Sequence, residues 1–254
     1  MKKIVVANWK MNPATVAEAT DILDFLLSNI ESESFRKINL IVCPPFIYID
    51  KLSDILSGHD EISLGAQDTF WEQEGAYTGE VSPLMLKNQG VRYVISGHSE
   101  RRWIIGESDE TINEETKAIL QNELVPILAI GEKKRDENYK EFLINQIKVS
   151  LSGMSELDVA KIIFAYEPVW AIGTGENDDP ENANETIRLI KKTINSFYPS
   201  LEINDIPVLY GGSVNSGNIL DFINKEQING VLIGGASVDK KEFTEIVRKI
   251  TEAI

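Results

Sequence analysis

Short apolar runs rich in Val and Ile recur along this chain at 4 to 9, 39 to 43, 62 to 66, 91 to 96, 125 to 130, 162 to 166, 206 to 210 and 230 to 234. They lack polar alternation, which predicts strands buried on both faces, as in a parallel sheet covered by helices. Helically spaced segments separate them: Val16 to Ile30, Ile47 to Leu56, Leu84 to Gln89, Glu110 to Asn122, Tyr139 to Leu151, Glu181 to Phe197 and Asn215 to Asn224, with Lys240 to Ile250 after the last run. Strand and helix thus alternate eight times in 254 residues, which fits a (β/α)8 barrel with eight parallel strands and outer helices. A doubly wound open sheet is the alternative. No low-complexity linker or shift in composition divides the chain, so one domain over residues 1–254 is expected. Local start signals agree: Asp179-Pro180-Glu181 and Ser82-Pro83 offer a cap followed by a proline, and Asp109 is the expected cap of the helix near Glu110.

A parallel barrel collects its chemistry at the C-terminal ends of its strands. The first strand ends in Asn8-Trp9-Lys10, the fourth in Ser96-Gly97-His98-Ser99-Glu100, the seventh in Tyr210-Gly211-Gly212-Ser213 and the eighth in Gly234-Gly235-Ala236-Ser237. The sixth is the most informative. There the apolar strand Ile162 to Tyr166 runs into Glu167, followed by Pro168-Val169-Trp170-Ala171-Ile172-Gly173-Thr174-Gly175. A carboxylate where a buried strand emerges is expected to have its pKa raised by desolvation. Residues 168 to 178 then form a candidate lid, whose glycines can bring backbone N–H groups close to a ligand. From these residues alone, a strand-end acid beside an ordinary loop remains the other reading.

Charge narrows the partners. Lys and Arg number 25 against 40 Asp and Glu, a formal charge of −15 that repels nucleic acid and anionic membrane surfaces alike. A small anionic substrate is still allowed, because a local cation such as Lys10 and oriented N–H groups act at short range while salt screens the distant field. Cys43, the only cysteine, excludes an internal disulfide and lies in the apolar run Leu40 to Cys43, where inert packing is expected. The run Ile4 to Ala7 is too short for a signal peptide core or a membrane span, so a soluble cytoplasmic protein is expected. With only His59 and His98 and no cysteine cluster, no metal site of the usual transition-metal type is expected.

Five segments carry a resemblance: Ala7-Asn8-Trp9-Lys10-Met11-Asn12, Gly97-His98-Ser99-Glu100-Arg101-Arg102, Tyr166 to Gly175, Tyr210-Gly211-Gly212-Ser213-Val214 and Gly234-Gly235-Ala236-Ser237. In this order on eight βα units they resemble the triosephosphate isomerase family, itself a standard example of acid and base groups tuned by their surroundings. The resemblance implies an isomerase that interconverts dihydroxyacetone phosphate and glyceraldehyde 3-phosphate through an enediolate, without cofactor or metal. Glu167 would be the base, and His98 a neutral imidazole donating to the carbonyl oxygens beside a helix N-terminus. Lys10 would stabilise the developing negative charge, and Asn8 would orient Lys10 and the substrate. Backbone N–H groups of Gly173, Ser213, Gly234 and Gly235 would hold the phosphate. Glu100 would pair with Lys10, and Ser99 would bond Glu167 while the lid is open. The connection from Gln67 to Glu80, with Thr78 at its tip, would enter a second subunit and make a homodimer; a self-packed loop is the other reading, and a tetramer is also open.

The chain departs from the family at the far lid hinge, where Glu176-Asn177-Asp178 stands in place of the common Lys-Thr-Ala, and altered lid kinetics with intact chemistry are expected. Ala129 occupies a usual cysteine position, which bears on packing. Lys133 to Tyr139 also follows the family poorly and is expected to lie away from the rim chemistry. Two other functions compete: a barrel enzyme acting on a larger sugar or indole-type phosphate, and a non-catalytic binding protein that keeps the barrel. The second would have lost a catalytic group, and none is missing.

Overall fold

The structure, a computed structural model, describes residues 2–171 and 178–254. Eight strands, β1 (Lys3–Asn8), β2 (Ile38–Cys43), β3 (Ile62–Ala66), β4 (Tyr93–Ser96), β5 (Val125–Ile130), β6 (Ile163–Tyr166), β7 (Val208–Tyr210) and β8 (Gly230–Ile233), pair in parallel and in chain order into a closed barrel. Closure decides against the open doubly wound sheet. β1 aligns Lys3 to Asn8 with Ile38 to Cys43 on one side, and Ile4 to Ala7 with Gly230 to Ile233 on the other.

The helices are α1 (Val16–Asn29), α2 (Ser32–Phe35), α3 (Ile49–Leu56), α4 (Pro83–Asn88), α5 (Asp109–Gln121), α6 (Tyr139–Ser150), α7 (Glu156–Val159), α8 (Pro180–Phe197), α9 (Ile219–Ile223) and α10 (Lys240–Ala253). Their apolar stripes pack on the outside of the sheet. Alternation along each strand therefore makes two cores. Ile4 and Val6 join Ile41, Ile95, Ile127, Leu209 and Leu232 inside the barrel, while Val5 and Ala7 face outward into a larger cluster with Leu23, Leu26 and their helical neighbours. Cys43 lies in the inner cluster, where burial pushes its thiol up and out of the reactive range. Ala129 is also fully buried there, opposite Ala165.

Boundaries shift from expectation for identifiable reasons. β7 begins after Pro207, which has no N–H to give the ladder. α9 starts late because Asn215 Oδ1 accepts from the N–H groups of Gly217 and Asn218 at 2.8 and 3.1 Å, an Asx turn that competes with helix. Ser108 caps α5, accepting from Thr111 N at 3.2 Å, and the expected cap Asp109 is instead the first helical residue, ion-paired with Arg102. Asp179 and Ser82 cap α8 and α4 as their sequence signals require. α2 and α7 have one turn each, too little for a period to register. Among the described residues no helix is long and apolar enough to cross a membrane.

Because Ile127 is fully buried in the inner cluster, Ile127→Ala is expected to cost about 3 kcal/mol. Urea unfolding checks this through a lower midpoint at unchanged slope.

Candidate active site

Past the end of β1 the backbone turns sharply, and Lys10 takes a left-handed φ of 55°. A non-glycine residue there costs on the order of 1 kcal/mol, so neighbours must hold it. Asn8 Oδ1 accepts the Lys10 N–H at 3.0 Å, and Gln67 Nε2 donates to the Lys10 and Cys43 carbonyls at 2.8 and 2.9 Å. The turn aims the Lys10 ammonium across the barrel mouth, where it meets Glu100 Oε1 at 2.5 Å.

Glu100 belongs to the segment after β4, which also carries His98. Gly97 sits at φ +70°, with the Arg102 guanidinium where a Cβ would project. Arg102 is buried, donates to the Gly97 and Ala129 carbonyls at 2.6 and 2.9 Å and pairs with Asp109, so it fixes the turn beneath the imidazole. The Glu100 N–H donates to His98 Nδ1 at 3.2 Å. That bond uses the Nδ1 lone pair and leaves Nε2 to carry the proton of a neutral ring.

His98 Nε2 faces Glu167 Oε1 at 3.0 Å, and the Ser99 N–H donates to Glu167 Oε2 at 2.7 Å. Glu167 is buried, and desolvation raises its pKa; yet His98, the Ser99 N–H and Lys10 together outweigh burial and set it below the ordinary glutamate value. This corrects the expectation of a raised pKa. For His98, burial works against protonation, while the facing carboxylate lifts the ring above its usual value. Two glycines make room for Glu167. A Cβ on Gly131 would fall 1.7 Å from the Glu167 carbonyl, and one on Gly211 would fall 2.9 Å from its Cγ.

Asn8, Lys10, His98 and Glu167 line one cavity of about 380 Å³ together with Ser213, Gly234 and Gly235. Gly234 also keeps the wall thin, since a Cβ there would meet Lys10 Cε at 2.9 Å. Gly235–Ser237 forms a 3₁₀ turn in the cavity wall. Gly173, expected to help hold an anion, lies outside the described residues, as do Glu176 and Asn177 of the far hinge. Asp178 is described and is buried. A carboxylate, an imidazole N–H and an ammonium in one cavity with a glycine-rich backbone wall can move a proton on a small anion held by its charged group.

Several residues that matter to this geometry were not legible beforehand. Gln67 and Arg102 act on backbone carbonyls that no sequence spacing announces. Arg135 lies outside the cavity, in the segment expected to be away from the rim chemistry, yet it reaches the hydroxyl of Tyr166, the neighbour of Glu167, at 3.2 Å. Behind the His98 segment, Asp68, Glu107 and Glu115 bring three carboxylates within 4.8 Å of one another, with Arg101 paired to the first two. Burial pushes Asp68 up to about 7 and Glu115 up to about 9.

Fold and site together define a (β/α)8-barrel enzyme built for a small anionic substrate. The family model described as triosephosphate isomerase matches residues 3–250. The chain is 41% identical over 249 residues to the triosephosphate isomerase of Thermoanaerobacter pseudethanolicus, covering 97% of this chain and 98% of that one. It is 41% identical over 250 residues to that of Dictyoglomus turgidum, covering 97% and 99%, and 40% identical over 249 residues to that of Clostridium tetani, covering 97% and 96%. The chain belongs to the triosephosphate isomerase family.

Glu115 keeps its proton in the folded protein up to about pH 9 and loses it near the ordinary glutamate value when unfolded. Its contribution is therefore complete below the ordinary carboxylate range and is lost as pH rises toward that value. Thermal unfolding midpoints should fall as the pH is raised through this window, and Glu115→Gln should flatten the fall.

Proposed function

We propose that Glu167, His98, Lys10 and Asn8 carry the chemistry of this enzyme, and that Ser213, Gly234 and Gly235, with Gly173, hold the substrate phosphate. Family membership makes the chain an intramolecular aldose-ketose isomerase, interconverting dihydroxyacetone phosphate and D-glyceraldehyde 3-phosphate through an enediolate in glycolysis and gluconeogenesis. The observation that carries the assignment of residues is the convergence of Glu167, His98 and Lys10 on one cavity whose wall also includes the glycine-rich backbone at Gly211, Gly212, Gly234 and Gly235.

In this reading a substrate oxygen displaces Glu167 from His98. The Nε2 proton then faces the substrate, and the carboxylate loses partners that depress its pKa, which strengthens it as a base. Glu167 takes a proton from the carbon beside the carbonyl, and charge collects on the enediolate oxygens between His98 and Lys10. A proton passes by way of His98 from the hydroxyl oxygen to the former carbonyl oxygen, and the carboxylic acid of Glu167 returns its proton to the neighbouring carbon. Ser99 and Glu100 support this by holding Glu167 and Lys10 before substrate arrives.

The wider setting belongs to the same proposal: one domain, a cytoplasmic location, no partner among nucleic acids or membranes, and a homodimer through the loop around Thr78. Phe70 stacks on Trp71 at 3.9 Å and tilts against Tyr77 at 4.6 Å, yet Trp71 and Tyr77 keep 38% and 44% of their surface exposed. Self-packing accounts for only part of this apolar surface, and a second subunit would cover the rest.

A coupled assay on both triose phosphates tests the chemistry, with Glu167→Gln expected to lower turnover about a thousandfold; undiminished turnover would remove Glu167 as the base. Sedimentation tests the assembly. A mass about twice the chain's 28.4 kDa is expected, shifting toward the single chain in Thr78→Arg.

A further inference from the structure

Arg135 stands in the connection between β5 and α6, outside the cavity, and makes more contacts than any catalytic requirement explains. One guanidinium nitrogen donates to Glu132 Oε1 at 3.0 Å and to the Tyr166 hydroxyl at 3.2 Å, and the other donates to Thr186 Oγ1 at 3.0 Å. Its plane lies over the Tyr139 ring, 3.9 Å from the centroid, where α6 begins. Tyr166 immediately precedes Glu167, and Thr186 is in the second turn of α8. The two ends of the connection from Glu167 to α8 are therefore tied to one side chain.

Glu132 extends the tie. It is buried, and its Oε1 also accepts from the Tyr166 hydroxyl at 2.9 Å and from Trp170 Nε1 at 3.0 Å, while its backbone carbonyl accepts the Val169 N–H at 3.1 Å. Val169 and Trp170 are the second and third residues after Glu167. Asp178 is also buried, and its carboxylate oxygens have no hydrogen-bond partner among the described residues. Among the described residues, the groups acting on it are Arg135 and Glu132 from the β5 connection, Tyr166 from β6, Tyr210 from β7 and its own neighbour Asp179. Arg135 is the only cation among them. Two buried carboxylates without it would leave uncompensated charge in the wall behind Glu167.

We propose that Arg135 is a positioning residue for the isomerase reaction: it holds the Tyr166–Glu132–Trp170 network that sets the Glu167 backbone, and it neutralises Asp178 and Glu132 at the foot of the same connection. The proposal builds on the isomerase reading of the site. Its consequence is a dependence on the ionisation of Asp178, which burial pushes up to about 6 against the pull of Arg135. Without Arg135 that value rises further. Asp178 is then harmless while protonated at low pH, and it becomes an unpaired buried anion as pH rises.

The test compares the parent with Arg135→Met, Arg135→Lys, Asp178→Asn and the Arg135→Met/Asp178→Asn double variant, measuring kcat, KM and the unfolding midpoint from about pH 5 to about pH 8. Arg135→Met should lose about tenfold in kcat/KM at about pH 8, mainly in kcat, and clearly less at about pH 5, because a shift in the catalytic backbone is felt in the transition state. Asp178→Asn in that background should remove the pH-dependent part of the loss. Arg135→Lys should restore the charge, and with it the parent's pH response, but only part of kcat, since an ammonium cannot make the forked contacts. Unchanged kinetics in Arg135→Met, or a loss equal at both pH values and untouched by Asp178→Asn, overturns the proposal. Should Arg135→Met fail to fold, Asp178→Asn alone decides: a midpoint raised relative to the parent above about pH 6 supports the coupling, and an unchanged midpoint overturns it. Absence of isomerase turnover in the parent would instead overturn the isomerase reading, while the unfolding midpoints of the four variants still report whether Arg135 and Asp178 are coupled.

Discussion

Closure of the sheet between β1 and β8 is the constraint on which everything else depends. The seam brings backbones so close that a Cβ on Gly230 would lie 1.9 Å from the Ile4 carbonyl, so only glycine fits opposite Ile4. Asn229, just before it, accepts the Ile4 N–H on its carbonyl at 3.0 Å, while its side chain accepts from Val208 N and from the buried Lys191 ammonium at 3.0 and 2.8 Å. Once the seam is shut, all eight strands point the same way. Asn8, His98, Glu167 and the glycine turns after β7 and β8 then share one rim, although up to 227 positions separate them in the chain (Asn8 to Gly235).

That rim reconciles a formal charge of −15 with an anionic substrate. The overall negative field is spread over the surface and screened within about 10 Å, whereas the cavity presents the Lys10 ammonium, the His98 N–H and the glycine-rich backbone at contact distance. The same short range explains why Glu167 is depressed rather than raised. Burial alone acts in the expected direction, but an imidazole at 3.0 Å and an N–H at 2.7 Å act more strongly. Under the proposed mechanism, a desolvated base held down by partners that substrate displaces is stable before binding and reactive after it.

How far the sequence could be read follows from which forces are local. Val and Ile runs, the Asp179-Pro180 start and the Ser82-Pro83 start reflect backbone and burial preferences within a few residues, and they held in the structure. The Asn215 turn and the replacement of Asp109 by Ser108 as a cap involve competition among neighbouring polar groups for the same N–H donors, where composition offers two answers and geometry selects one. Arg135 shows the opposite limit. Nothing in the Lys133 to Tyr139 segment has a period or motif, yet its arginine spans from Tyr166 to Thr186 because barrel closure sets β5 beside β6.

The sequence by itself therefore determined the alternation of strands and helices, a parallel α/β architecture and the chemical inventory of the strand ends, because burial period, caps and glycine turns are properties of adjacent residues, while closure of the sheet into a barrel was settled by the structure. The tertiary structure alone decided what those groups do to one another. The direction of the Glu167 pKa shift, the proton on His98 Nε2, the left-handed Lys10 held by Gln67, and the burial of Asp178 near Arg135 all depend on contacts between residues distant in the chain. Electrostatic and hydrogen-bond energies fall off over a few ångströms, so they are settled only when folding sets those distances.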